Sequence, residues 1–144
     1  MANTAEDNKP PAADSLKAIP QGDSKMAIIA PAVAWLIPGA GHLIQGRWIR
    51  GLLLLGAIVP MFVLGLLMQG HVYKPNGGDI LDILGFVGDV GAGGLYILSR
   101  ALSWGGEAIG RATADYGTKY IIVAGLLNFI SVADAYHIAI GKKP

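Results

Sequence analysis

Residues 51–69, G-L-L-L-L-G-A-I-V-P-M-F-V-L-G-L-L-M-Q, carry no charge. As a helix this run is about 28 Å long, close to the thickness of a bilayer core. A Leu-rich stretch of that length predicts a membrane span. Pro60 lies in its middle, which membrane helices tolerate where neighbours satisfy the freed backbone. The composition agrees: charged residues make up 15% of the chain, against about 25% in average usage. The 21 glycines follow no G-X-Y period, and small residues within apolar runs let membrane helices pack closely.

A second apolar run, 26–44, precedes the first and has no formal charge if His42 is neutral. Pro31 lies near its start. Pro38, Gly39 and Gly41 should kink or unwind its last third and free backbone carbonyls. In lipid such carbonyls need partners, so this end should face protein or water. The link 45–50 is too short for a domain, so the two runs predict a membrane helical hairpin with its turn at 35–51. Trp48, Arg47 and Arg50 read as an interfacial anchor. Pro38, Gly39, Gly41 and Gly46 read as turning and packing residues.

Further along, Lys-Pro-Asn-Gly-Gly (74–78) is turn chemistry. Residues 80–103 are long enough to span but hold Asp82, Asp89 and Arg100. On one continuous helix Asp82, Asp89, Tyr96, Arg100 and Ser103 fall within about 60° of one another. This predicts an amphipathic, Gly-rich helix that either spans with its polar stripe facing the bundle or lies in the interface. Residues 104–119 read as a polar connection. Residues 120–140 form a further span with Asn128, Ser131 and Asp134 on one side. Asp134 is also placed to pair with His137 three residues on.

The expected architecture is an all-α integral membrane bundle. It has three spans at about 26–44, 51–69 and 120–140, plus a fourth at 80–103, preceded by a disordered polar tail over 1–25. If all four cross, Lys17, Lys25, Lys74, Lys142 and Lys143 oppose Arg47, Arg50, Arg100, Arg111 and Lys119. Five against five gives no orientation. Without an export signal at its start, the chain is expected to keep its termini in the cytoplasm of a cell with an inner membrane.

The chain has no Cys, and its three His are scattered. Thiolate chemistry is therefore excluded, and no metal-ligand spacing or cofactor motif is present. The glycines near 39–46 fit neither a dinucleotide nor a phosphate loop. A net charge of +1 gives no basic stripe for nucleic acid. The polar groups that could carry chemistry are His42, Arg47, Asp89, Arg100, Asn128 and Asp134, since an intramembrane carboxylate is a site hypothesis by default. Their pairing depends on parity. With four crossings Asp134 lies some 20 Å from His42 by helix rise. With segment 80–103 not crossing, Asp134 sits at the level of His42 and Arg47.

Residues 34–56 resemble the helix-turn-helix of the bacterial two-transmembrane domain family, through Pro38, Gly39, Gly41, His42, Gly46 and Arg47. Residues 124–143, with Asn128 and Asp134, resemble the end of an uncharacterised bacterial membrane-protein family that shares the Pro-Gly-x-Gly-His turn. The resemblance implies a bacterial membrane protein and no particular activity. The expected function is a non-catalytic structural or accessory subunit in the lipid bilayer, packing with other membrane proteins or with itself. The second expectation is a small proton- or ion-coupled transport component using the intramembrane carboxylates. A lipid-acting enzyme ranks third, for want of a nucleophile, base and metal set.

Overall fold

Pro38 decides how the chain begins. A residue that precedes proline is pushed out of the α region, and Ile37 is extended at φ −126°, ψ 111°. The first helix, α1 (Met26–Leu36), therefore stops after 11 residues, a rise of about 16 Å. Gly39 then takes φ +81° as the residue before the short α2 (Ala40–Ile44). That left-handed turn sends α2 back along α1, so that Gly41 rests against Ala30 and Ala34. The computed structural model describes residues 24–75, 79–105 and 112–142, and no strand occurs among them. The polar tail predicted for 1–25 lies outside them except for its last two residues.

The remaining helices are α3 (Trp48–Leu67), α4 (Ile80–Gly91), α5 (Gly94–Ala101) and α6 (Ala112–Ala139). Helix α6 is the centre of the fold, and α1, α3 and α4 all pack on it. Helix α3 runs antiparallel to α6: Gly65 near its end meets Gly117 and Ile121, while its start adjoins α2, whose Gly41 touches Ala135. The apolar core between them is Ile58, Phe62, Val72, Ala92, Ile121 and Ala124.

Helices α1 and α4 approach the middle of α6 from opposite ends. Helix α1 lies antiparallel to α6 and ends with Trp35 beside Asn128. Helix α4 runs parallel to it, with Gly88 against Ile122 and Gly91 against Gly125 and Phe129. Its 12 residues rise about 18 Å. The chain then breaks at Ala92–Gly93, and α5 leaves at 107° to α4.

Several expectations change here. Among the described residues two helices, α3 and α6, are each long and apolar enough to cross a membrane, and a third would be counted if the bent α4–α5 pair is taken as one span. The run 26–44 is not a full span, because Pro38 and Gly39 stop its helix at Leu36. Nor is 80–103 one amphipathic helix: the bend at Gly93 separates Asp82 and Asp89 from Arg100 and Ser103, so the stripe drawn on a continuous wheel does not form. The predicted connection at 104–119 is helical from Ala112, and 106–111 lie outside the described residues. The first two apolar runs do not close on each other as a hairpin either; α1 and α3 are held together through α2 and α6.

Candidate functional site

Asn128 is fully buried near the middle of α6, where both half-length helices end. The last four carbonyls of a helix have no partner within it. The Asn128 amide donates to two such carbonyls, Trp35 O at 3.2 Å and Gly91 O at 2.9 Å. The Trp35 indole donates to Val90 O at 3.0 Å, tying α1 directly to α4. One side-chain amide and one indole thus hold two helix C-termini against the middle of a third helix. This suits an apolar setting, where each unsatisfied backbone group is costly.

Below this junction, towards the end of α6, His42 lies fully buried with Nε2 3.1 Å from Asp134 Oδ2. A carboxylate only accepts, so this bond places a proton on Nε2. Gln45 donates from Nε2 to Gly41 O at 2.8 Å and to Ala135 O at 3.1 Å. Together His42 and Gln45 fasten α2 to α6. The His42–Asp134 contact is the outcome that follows when segment 80–103 does not cross as a single helix. His137 rests beside the Tyr136 ring. Arg47 precedes α3, and its N–H closes α2 by donating to His42 O. Trp48 and Arg50 are exposed at the start of α3.

Above the junction, Asp89 is also fully buried. The Tyr73 backbone N–H donates to Asp89 Oδ2 at 2.7 Å, and the Tyr96 hydroxyl donates to Tyr73 O at 3.3 Å. Asp89 therefore holds Tyr73, in the segment that follows α3, against α4. Asp82 sits elsewhere, in an open cleft of about 840 Å3 that it shares with His71, Tyr73, Asp115 and Lys119. Burial pushes the Tyr73 hydroxyl pKa up, with Asp82, Asp89 and Asp115 adding to it. Arg100 lines a separate recess of about 290 Å3 with Lys74, Ser103 and Trp104. No ion pair joins Arg100 to Asp82 or Asp89 among the described residues.

Of the residues selected from sequence, the fold gathers Asn128 with the tips of α1 and α4, and His42 with Asp134. Asp89 and Arg100 stay apart from both groups. Trp35, Gln45 and Tyr73 are contributors that sequence reasoning did not single out. Trp35 had one signal, its place three residues before a helix-breaking proline. Gln45 and Tyr73 act through backbone partners that no spacing reveals. Among the described residues no cluster of three His, Asp or Glu is placed to hold a metal.

Two long apolar helices, two half-length helices ending inside the bundle, and polar groups bonded in its interior define a helical membrane protein. The chain belongs to a family of unknown function (DUF6677), whose profile matches residues 29–144. No curated protein and no solved structure matches it.

Proposed function

We propose that the protein is a small, non-catalytic membrane subunit that associates through the outer face of α3. The carrying observation is Gly56 with Pro60. A Cβ at Gly56 would meet nothing within 4 Å, and Pro60 one turn on is exposed. Pro60 has no N–H, so the Gly56 carbonyl lacks its usual helical donor. A glycine inside a helix is less favourable than alanine by roughly 1 kcal/mol, and a freed carbonyl in lipid needs a neighbour. Both features make sense where a second membrane helix approaches closely. Leu53, Leu64 and Leu67, all exposed, extend the same face. The other glycines along the helices pack within the chain, Gly65, Gly88, Gly91, Gly117 and Gly125 among them.

In this reading α3 and α6 cross, while α1–α2 and α4–α5 enter from opposite sides and turn back. Chain order then puts Lys9, Lys17, Lys25, Arg47, Arg50, Lys142 and Lys143 on one side and Lys74, Arg100, Arg111 and Lys119 on the other. The 11 basic residues divide seven to four, and the positive-inside rule turns the seven to the cytoplasm. In a bacterium this is the inner membrane, as the likeness of 34–56 to the two-transmembrane domain turn suggests.

The chain lacks Cys, so single cysteines test both points. Cysteines at Arg50 and Lys142 should be labelled from the cytoplasmic side, and those at Lys74 and Lys119 from the other. Labelling of Arg50 and Lys142 from opposite sides would refute the two-span topology. A cysteine at Leu53 should cross-link in native membranes to a second chain, and Gly56→Leu should weaken that association by about 1–2 kcal/mol while leaving the detergent melting temperature intact. A Leu53 cysteine that forms no cross-link would remove α3 as the association face.

A different observation, the convergence of two helix C-termini midway along α6, leads to a separate inference.

A further inference from the structure

The junction at Asn128 collects more acceptors than donors. A helix C-terminus carries about half a negative charge, and α1 and α4 both point theirs at this spot. The Asn128 NH2 group answers Trp35 O and Gly91 O, but its own Oδ1 is buried without a partner. Ser131 Oγ is likewise buried and unpartnered. It lies three residues further along α6, on the adjacent part of the same face, where side chains stand roughly 5–6 Å apart.

We propose that Asn128 Oδ1 and Ser131 Oγ, together with the carbonyl ends of α1 and α4, bind a monovalent alkali cation inside the bundle. The chemistry selects the ligand. The available atoms are oxygens, and the carbonyls among them stand at the negative ends of two helix dipoles, which repel an anion. Neither Asn nor Ser titrates, so the site is not a proton carrier. The nearby carboxylates are directed elsewhere: Asp134 to His42 and Asp89 to the Tyr73 N–H. Neutral oxygens with two half-charged helix ends match a single positive charge rather than a divalent ion. Half-helix C-terminal ends and unwound carbonyls are a recurring way to hold sodium within membranes. Entry would be from the α6 C-terminal side, where Asp134, a turn beyond Ser131, retains 25% exposure of its side chain.

The full-length protein, purified in detergent, should melt at a higher temperature in sodium or potassium chloride than in choline chloride of equal ionic strength. The gain should saturate with cation concentration. Ser131→Ala removes one oxygen and no hydrogen bond seen in the fold, so it should leave the choline value unchanged and raise the half-saturating concentration about tenfold or more. Ser131→Cys provides the same readout should the alanine variant not accumulate. Equal melting temperatures in the three salts would overturn the proposal, and so would a cation effect that both Ser131 variants retain in full.

Discussion

Asn128→Leu is expected to unlock both half-length helices at once. Leucine has about the right volume but donates nothing, so Trp35 O and Gly91 O both lose a bond. A buried backbone acceptor left unpaired costs about 1–3 kcal/mol. Side-chain hydrogen bonds between membrane helices average nearer 0.6 kcal/mol, because the unfolded chain in the membrane finds partners too. Two carbonyls at helix ends, with few alternative donors, should come out at about 2 kcal/mol together. Unfolding of the variant in mixed micelles by added denaturing detergent would measure this. The indole at Trp35 supplies a local probe, because its bond to Val90 O should loosen in the same step. A loss under about 0.5 kcal/mol would mean that the two carbonyls find other donors and that Asn128 is not what holds the junction.

Gly93→Ala should be more damaging still. Gly93 sits at φ 58°, ψ −116°, a conformation that side-chain-bearing residues rarely adopt; holding one there costs about 1–3 kcal/mol. Its Cβ would also run into the backbone carbonyl of Trp35, which cannot rotate away as a side chain can. Relief requires moving the end of α1 off the α4–α5 turn, and that breaks the Trp35–Val90 and Asn128 bonds together. The variant should lose at least about 3 kcal/mol and accumulate poorly. Gly46→Ala is the control. Gly46 also has positive φ, at 75°, but a Cβ there meets nothing within 4 Å, so it incurs backbone strain without the clash. Equal behaviour of the two variants in expression and detergent melting would show that the contact with α1 contributes nothing.

Residues 51–69 and 120–140 were legible as spans because an uncharged apolar run of that length has few other stable settings. The break at Pro38–Gly39 was legible too, since proline restricts the residue before it and glycine accepts positive φ whatever the surroundings. Segment 80–103 departs from its helical periodicity for a physical reason. Helical periodicity places side chains on a face only while the helix continues, and a single glycine at 93 ends it. Asp89 stands out in the sequence as an intramembrane carboxylate, but the stripe it would join does not form, and its partner is the backbone N–H of Tyr73. The glycines suggested faces for other proteins. Gly65, Gly88, Gly91, Gly117 and Gly125 instead bring α3 and α4 against α6, and among the described helical glycines Gly56 faces open space.

The pairing of His42 with Asp134 separates what each level of structure decides. From sequence the two residues were either neighbours or some 20 Å apart by helix rise, depending on whether the segment between them crossed as one span. The sequence by itself determined an all-helical chain with long apolar runs, a broken turn at Pro38 and a set of buried-type polar residues, because these follow from local chemistry and run length. Only the tertiary structure decided that α1 and α4 stop halfway and meet at Asn128, and that His42 reaches Asp134 across 92 positions. Contacts at that separation depend on the direction of every helix between, the 107° turn from α4 into α5 included.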